Sequence, residues 1–237
     1  MNPDSKDNFL EGQILLIDKP LNWSSFQAVN AIKWAIRRKF QLKKIKVGHA
    51  GTLDPLATGL LIICTGKATK KIEGLQGQVK EYTGTITLGG TTPSYDLETE
   101  VDQEYPVDHI TEEAIKEAAV HFTGEIAQKP PVFSALKKDG KRLYEFAREG
   151  KEVEIKKRLI TIIEFEITAI RLPEVDFRVV CSKGTYIRSL AHDFGQYLDS
   201  GGHLTRLRRT KIGDYNVNNA LTPEKFRELL LPEASND

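Results

Sequence analysis

One short segment concentrates residues that could do chemistry, and it reads Gly48-His-Ala-Gly-Thr-Leu-Asp-Pro-Leu-Ala-Thr-Gly59. Its one acid, Asp54, stands in a stretch from residue 19 to residue 72 that holds eleven Lys and Arg and no other Asp or Glu. Surrounding positive charge favours the ionised carboxylate, which could serve as a nucleophile or a base. A helix start is the alternative, because Asp followed by Pro is a common cap, and spacing alone favours it.

A second segment, Cys181-Ser-Lys-Gly-Thr-Tyr-Ile-Arg188, pairs an aromatic ring with a guanidinium group. In an extended chain, Tyr186 and Arg188 would point to the same face. A tyrosine can stack on a base, and an arginine can pair with a carboxylate or a phosphate. An isolated Tyr-x-Arg is more often a packed tyrosine and a surface ion pair, so the segment alone does not decide.

Three further candidates have competing structural explanations. Tyr82 begins a strand-like run, where a buried tyrosine that fills space in a sheet is the default. His49 could be an acid, a phosphate donor or a structural loop histidine. Leu207 lies within Leu204-Thr-Arg-Leu-Arg-Arg209, which is either a basic edge that grips RNA or a solvated face.

Sequence patterns for metals and nucleotide cofactors are missing. No second His or Cys lies at metal-ligand spacing from His49, and neither a dinucleotide-binding nor a P-loop pattern occurs. We therefore expect neither a metal nor a cofactor. The two cysteines, Cys64 and Cys181, are too few and too far apart for a disulfide scaffold or a zinc cage.

Charge is balanced overall but segregated along the chain. The 34 basic and 33 acidic residues give a net charge of +1, yet residues 200–213 also contain four cations and no acid. Segregated positive charge suits a polyanion, or the oppositely charged segments neutralise each other on the folded surface. No apolar run approaches a membrane span, and the polar N-terminus lacks a signal-peptide core. We expect a cytoplasmic protein with no membrane association.

The elements that must position these residues alternate irregularly between strands and helices. Strand patterns occur at 12–18, 59–64, 82–88, 159–170 and 175–182, and helix patterns at about 24–39, 111–122, 143–148, 189–198 and 222–231. Ser24 and Gln27 form a capping box. Because strands and helices follow each other in mixed order, the pattern predicts an α+β fold rather than a βαβ array, in one domain spanning 1–237.

Taken together, the motifs resemble one family closely, the bacterial tRNA pseudouridine-55 synthases (TruB family). The matching segments occur in the family's order and are Leu16-Ile-Asp-Lys-Pro20, Gly48 to Gly59, Lys80-x-Tyr82, Gln128-x-Pro-Pro-x-Phe-Ser-Ala135, Cys181 to Arg188 and Leu207-Arg-Arg209.

The resemblance implies a role for each candidate residue. Asp54 matches the catalytic aspartate, Tyr82 the tyrosine that stacks on the target base, and Arg188 the arginine that pairs with the aspartate. Tyr186 and Leu207 match residues that line the pocket. His49 matches the histidine that contacts the flipped-out nucleotides. These implied roles favour chemistry over the structural explanations given above.

The implied fold is the pseudouridine synthase fold, a mixed and mainly antiparallel sheet flanked by helices. Residues about 125–150 resemble the family's thumb insertion over the T arm. The short sequence after Ala220 leads us to expect that the C-terminal PUA module of many members is absent. The loop Thr91-Thr-Pro-Ser-Tyr-Asp96 departs from the family's T-D-T-x-D pattern, since only Asp96 matches an acid.

The implied reaction is isomerisation of uridine 55 in the T-psi-C loop of tRNA, after the base is flipped out of its stack. We expect a monomer with no obligate protein partner. A binding module that opens and refolds the tRNA elbow is an alternative from another class, although binding alone does not require Asp54, Tyr82 and Arg188. A glycoside hydrolase would need a second acid near Asp54, and the segment supplies none.

Overall fold

The computed structural model describes residues 5–134, 136–138, 140–149 and 153–232. They form two compact units, the first made of Met1–Glu81 with Arg208–Asp237 and the second of Tyr82–Leu207.

Seven α-helices occur in the described residues: α1 (Lys6–Glu11), α2 (Ser25–Phe40), α3 (Ile72–Gly77), α4 (Glu112–His121), α5 (Leu143–Arg148), α6 (Ile187–Tyr197) and α7 (Pro223–Leu230). The strands in those residues are β1 (Ile14–Lys19), β2 (Val47–His49), β3 (Ala57–Thr65), β4 (Lys80–Leu88), β5 (Gly90–Thr91), β6 (Gln103–Glu104), β7 (Gly124–Gln128), β8 (Lys137–Lys138), β9 (Lys141–Arg142), β10 (Arg158–Arg171), β11 (Glu174–Cys181), β12 (Gly202–Ile212) and β13 (Tyr215–Asn216). None of the described helices is both long enough and apolar enough to cross a bilayer.

The first unit is organised around β3, which pairs antiparallel with β1 and β2 and adjoins β12. Its apolar run is continuous because both faces of the strand are buried. Leu61 and Ile63 belong to the core cluster that includes residues of α2 and α7. Leu60 and Ile62 belong to a second cluster. This double burial gives β3 a rigid setting from which the preceding loop projects.

The second unit contains the strand order β12-β4-β11-β10-β7, with β11 antiparallel to β10 and β10 antiparallel to β7. Alternate residues of β11 are buried, as the period-two pattern predicted. Phe194 of α6 packs on Phe165 of β10, with their ring centroids 5.5 Å apart. The unit thus combines a sheet, antiparallel where β11, β10 and β7 pair, with helices, as expected for an α+β fold.

Helix α2 follows its sequence pattern most closely. Ser24 Oγ accepts a hydrogen bond from the backbone N–H of Gln27, and the Gln27 side chain accepts one from the backbone N–H of Ser24, which completes the capping box. Strands β2, β7 and β12 were not anticipated. The thumb expected at about 125–150 is described only in part, because Ala135, Asp139 and Gly150 lie outside the described residues.

Candidate active site

Asp54 lies in the loop between β2 and β3, and no helix follows it. The backbone N–H of Ala57 donates to the carbonyl oxygen of Asp54 at 3.1 Å, which closes a turn, and β3 begins at once. The helix-cap interpretation was therefore wrong. Pro55 stands at a turn position here, and the turn leads the chain from the Asp54 loop into a buried strand.

Arg209 holds the first half of this loop from β12. Its side chain is only 1% exposed, and it donates Nη2 to the carbonyl oxygen of Gly51 at 3.0 Å and Nη1 to that of Thr52 at 3.4 Å. Its Nε donates to the carbonyl oxygen of Leu60 at 2.8 Å. A buried guanidinium with three such acceptors fixes two parts of the chain at once. The sequence had suggested that this arginine belonged to an RNA-gripping edge or a solvated face.

Ser25 holds the residue directly before Asp54. Its hydroxyl donates to the carbonyl oxygen of Leu53 at 3.1 Å and accepts from the backbone N–H of Leu53 at 2.8 Å. Both groups are buried, so losing the hydroxyl would leave them unsatisfied at a cost of about 1–3 kcal/mol. This role of Ser25 was not predicted from the sequence, although Ser25 precedes Val29, Ile32 and Ile36 at the spacing of the buried helix face.

Lys19 holds the residue directly after Asp54. Its fully buried ammonium donates to three carbonyl oxygens, those of Pro20 at 2.9 Å, Trp23 at 2.6 Å and Pro55 at 3.3 Å. Burial lowers the pKa of Lys19 to about 8, while the charge of Asp54 raises it and that of Arg209 lowers it. The amine therefore remains mainly protonated at neutral pH, and the ammonium form has one N–H for each of the three hydrogen bonds.

Gly59 allows β3 to approach Arg209. Its φ of +103° lies in a region that favours glycine, and a Cβ there would lie 2.3 Å from the carbonyl oxygen of Arg209. Residues 51, 52, 53 and 55 are thus each held by a buried polar side chain. The backbone around Asp54 is preorganised, which is what a carboxylate with a precise chemical task requires.

His49 ends β2, five residues before Asp54. Burial is the largest influence on its imidazole and lowers its pKa, a backbone hydrogen bond with Gly51 raises it, and the charge of Arg209 lowers it. The net effect favours the neutral ring, which suits a hydrogen-bonding role better than an ion pair with phosphate.

Arg188 lies in the first turn of α6, where its side chain is 3% exposed. It donates Nη1 to the carbonyl oxygen of Ser94 at 3.0 Å and Nη2 to that of Phe133 at 2.9 Å. Its Nε lies 3.6 Å from Oδ2 of Asp96. The guanidinium therefore joins the loop after β5 to the segment after β7. The expectation that Tyr186 and Arg188 lie on one face of an extended chain was wrong, since β11 ends at Cys181 and Tyr186 is the N-cap of α6.

Gln128 positions Tyr186 through two backbone hydrogen bonds. Its Oε1 accepts from the N–H of Tyr186 at 2.8 Å, and its Nε2 donates to the carbonyl oxygen of Tyr186 at 3.0 Å. Close by, Ser189 Oγ donates to the carbonyl oxygen of Lys129 at 2.8 Å. Gln128 belongs to a matching motif, but its sequence context indicates no role for it. Gln128 is 2% exposed, so both of its hydrogen bonds with Tyr186 lie in the interior of the second unit.

Hydroxyl groups bond the loop Thr91 to Asp96, which lacks the family's inner acid. Thr92 Oγ1 and Ser94 Oγ both donate to the carbonyl oxygen of Asp96, at 2.7 and 3.1 Å. The Asp96 carboxylate accepts from the backbone N–H of Glu98 at 3.0 Å. Hydroxyl groups thus supply the local bonds, and the buried Asp96 remains available to the guanidinium of Arg188.

The remaining candidates lie on adjacent strands of the second unit. Tyr82 is on β4 and is 8% exposed, and Leu207 is half-buried on β12. The structure thus groups His49 with Asp54 in the first unit, and Tyr82, Tyr186, Arg188 and Leu207 in the second. Among the described residues, no group of three or more His, Cys, Asp or Glu side chains could hold a metal ion.

Comparison with known proteins gives consistent matches over nearly the whole chain. Residues 37–187 match the model for the TruB family pseudouridylate synthase N-terminal domain, and residues 188–236 match that for the tRNA pseudouridylate synthase B C-terminal domain. Proteins named tRNA pseudouridine synthase B are similar in Flavobacterium johnsoniae, with 68% identity over 94% of this chain and 98% of the relative, and in Phocaeicola vulgatus, with 58% identity over 94% and 95%.

Solved structures support the same fold. The crystal structure of the archaeal box H/ACA sRNP Nop10-Cbf5 complex contains a chain that matches 97% of this one with a TM-score of 0.68 and 27% identity. Our chain spans 58% of the length of that protein. The fold expected from the motifs is confirmed, and the family matches cover all six candidate site residues. The chain belongs to the TruB family of pseudouridylate synthases.

Proposed function

We propose that this protein isomerises uridine at position 55 in the T-psi-C loop of tRNA to pseudouridine, with Asp54 as the catalytic residue. Family membership makes the chain a pseudouridylate synthase, which is an isomerase. Its relatives are named tRNA pseudouridine synthase B. We propose that tRNA is also the substrate of this chain and that position 55 in the T loop is the target.

The observation that carries the proposal is the way in which the loop around Asp54 is held. Lys19, Ser25 and Arg209 are each at least 97% buried, and each directs its polar atoms to the backbone on one side of Asp54. Burying three polar side chains around one turn is costly unless each is satisfied. Such an arrangement suits a reactive group that must remain in one place while a substrate enters.

The chemistry requires only groups that the chain supplies. Pseudouridine has the composition of uridine, since the bond from C1′ to N1 is replaced by one from C1′ to C5. In our proposal, Asp54 acts as an ionised carboxylate that attacks or removes a proton, and the base is first flipped out of its stack.

The other site residues would bind the extruded nucleotide. We propose that the ring of Tyr82 stacks on the base, a type of contact worth about 1–3 kcal/mol per base. Tyr186 and Leu207 would line the binding site, His49 would contact neighbouring flipped nucleotides, and Arg188 would bind the target nucleotide. We further propose that residues 1–237 act as one catalytic domain, monomeric and cytoplasmic, with residues about 125–150 as a thumb over the T arm.

Tritium release tests the reaction directly. The hydrogen on C5 leaves when C5 bonds to C1′, so an unmodified tRNA transcript made with [5-³H]uridine should release one tritium per molecule. Replacing uridine 55 by cytidine in the same transcript should abolish release. Tight binding without release would instead favour a non-catalytic RNA-binding module, and release from the substituted transcript would show that another uridine is the target.

A further inference from the structure

Two groups of cations in this chain differ in how their charges are satisfied. On β12, Arg208 pairs with Asp18 at 2.8 Å, and Lys211 lies 3.3 Å from Glu81. Arg209 of the same strand is buried and donates to the carbonyl oxygens of Gly51 and Thr52. Arg206, on the same strand, lies 3.7 Å from Asp176 and 3.6 Å from Glu174. The basic stretch 200–213 is therefore largely neutralised by the protein itself.

The cations of α2 and the loop after it have no such partners. Arg37, Arg38, Lys39, Lys43, Lys44 and Lys46 are all exposed, and none forms a salt bridge within the part of the chain that the structure describes. Helix α2 contains no acid at all. Interaction with the helix dipole accounts for cations in the last turn, at about 0.3–1 kcal/mol each, but it does not account for the three lysines beyond the helix.

Two aromatic side chains are exposed on the same face of α2. Phe26 is 69% exposed and Trp34 is 55% exposed. Residues four apart are neighbours on a helix surface, so one side of α2 carries in order Phe26, Asn30, Trp34 and Arg38. Lys33 and Arg37 lie beside this line of residues. We call Phe26, Lys33, Trp34, Arg37 and Arg38 the α2 surface. Residues 26 and 34 are about 12 Å apart along the helix axis, at 1.5 Å per residue.

We infer that the α2 surface binds unpaired nucleotides of the RNA substrate, with Arg37 and Arg38 on phosphates and with Trp34 and Phe26 stacked on bases. Arg37 Nε donates to the carbonyl oxygen of Leu42 at 3.1 Å, but neither Arg37 nor Arg38 has an acidic partner in the part of the chain that is described. Exposed rings beside such cations provide the two contacts that single-stranded RNA makes with proteins. The complete lack of acidic residues on α2 favours a polyanion over a protein partner. The inference rests on the proposed function, since it takes tRNA as the RNA.

Charge is tested by the salt dependence of tRNA binding. The slope of log K against log salt is negative, and the double variant Arg37→Gln with Arg38→Gln should make it shallower by about 1.4–1.8, because each phosphate contact contributes roughly −0.7 to −0.9. Lys116→Gln with Arg171→Gln is the matched control, since it removes the same charge from exposed cations that are paired with Glu112 and Asp176. The control should leave the slope unchanged, and equal slopes in both double variants would overturn the inference.

Stacking is tested separately with Trp34→Ala and Trp34→Phe. Trp34→Ala should weaken tRNA binding by about 5- to 100-fold without changing the salt slope, whereas Trp34→Phe should retain most of the affinity. The other tryptophan is Trp23, so RNA-induced quenching of fluorescence that disappears in Trp34→Phe comes from Trp34. Unchanged affinity in Trp34→Ala would contradict the RNA assignment and favour a protein ligand for this face.

The readouts keep this inference apart from the proposed function. If uridine 55 is isomerised and the α2 variants bind RNA like the wild type, the inference fails alone. If the α2 variants lose affinity and slope as expected but no tritium is released by the wild type, the proposed function fails alone. The α2 variants should have a higher KM for tRNA than the wild type. Their kcat, measured at saturating tRNA, should equal that of the wild type.

Discussion

The ammonium nitrogen of Lys19 lies 3.3 Å from the carbonyl oxygen of Pro55, the residue that follows Asp54. The same nitrogen donates to Pro20 and Trp23, so β1, the start of α2 and the Asp54 loop meet at one buried charge. Asp54 in turn raises the pKa of Lys19 against the larger effect of burial. The catalytic candidate and the group that positions its loop are therefore electrostatically coupled.

That coupling predicts how Lys19 titrates. The pKa of Lys19 should be about 8 in the wild type and lower in Asp54→Asn, because the substitution removes the charge that favours the ammonium form. Carbon-13 NMR of the lysine ε-carbons, assigned with Lys19→Met, measures both values. Asp214→Asn removes an exposed acid of the same unit and should leave the midpoint unchanged. An unchanged midpoint in Asp54→Asn would show that the two groups do not interact.

Asp54→Asn should abolish tritium release while tRNA affinity stays within a few-fold of the wild type. Asparagine has the same shape as aspartate but is neither a nucleophile nor a base, and Ser25 and Arg209 hold the loop through its backbone in both proteins. Single-turnover release and a filter-binding titration on the same preparation separate the two effects. Turnover near that of the wild type would remove Asp54 from the catalytic role.

Gly59→Ala should destabilise the protein by about 2 kcal/mol or more. The residue adopts φ +103°, and the new methyl group would meet backbone atoms of Arg209 that cannot move without disturbing β12. Gly74→Ala is the control, since Gly74 is exposed within α3 and has nothing within 4 Å. That change should be neutral or stabilise by up to about 1 kcal/mol. Urea denaturation measures both, and equal effects would contradict the close packing described here.

Local signals in the sequence were sufficient for elements whose contacts are local. The capping box and the buried spacing of Val29, Ile32 and Ile36 predicted α2 almost residue for residue. Strand β12 was missed for the opposite reason. Its cations Arg206, Arg208 and Lys211 are satisfied by acids far away in sequence, such as Asp18 and Glu81, so a basic strand looks locally like a solvated segment.

The candidate site divides in the same way. Resemblance supplied Asp54, Tyr82 and Arg188 from motif letters alone. The residues that hold the backbone, Ser25 and Gln128 among them, could not be recognised because their partners are main-chain atoms, which carry no sequence signal. Ser25 was the nearest to a detectable case, as a polar residue at a buried helix position.

Arg188→Lys should lower kcat by roughly 10- to 100-fold. The guanidinium reaches the carbonyl oxygens of Ser94 and Phe133 with two different nitrogens, and a lysine ammonium cannot reproduce that fork. Loss of one hydrogen bond from a buried charged group costs about 1.5–3 kcal/mol. Arg206→Lys, at a largely exposed ion pair, should leave kcat near that of the wild type. Near-normal kcat in Arg188→Lys would mean that positive charge alone is needed there.

Gln128→Glu should make activity fall with rising pH relative to the wild type. While it is protonated, the carboxyl group that this substitution introduces can accept from the N–H of Tyr186 and donate to its carbonyl oxygen, as the amide does now. The ionised form has no proton to donate and faces that carbonyl oxygen with a negative charge. At 2% exposure, burial raises the pKa of the introduced carboxyl, so the pairing persists at low pH and is lost as pH rises through that raised value.

The measurement for Gln128→Glu is the ratio of variant kcat to wild-type kcat between about pH 5.5 and 8.5, which cancels the pH dependence of the reaction itself. We expect a ratio near one at the acid end and a loss of roughly 10- to 100-fold at the alkaline end, equivalent to about 1.4–2.7 kcal/mol of positioning. Gln128→Met fills a similar volume without hydrogen bonds, so its ratio should be low at every pH. If Gln128 merely fills space beside α6, Gln128→Met would be active and the ratio for Gln128→Glu would not change with pH. A ratio that is high only at acid pH assigns to the Gln128 amide the role of holding Tyr186 in the geometry that the reaction uses. Because Tyr186 is the N-cap of α6, the amide then also holds Arg188, which lies in the first turn of that helix.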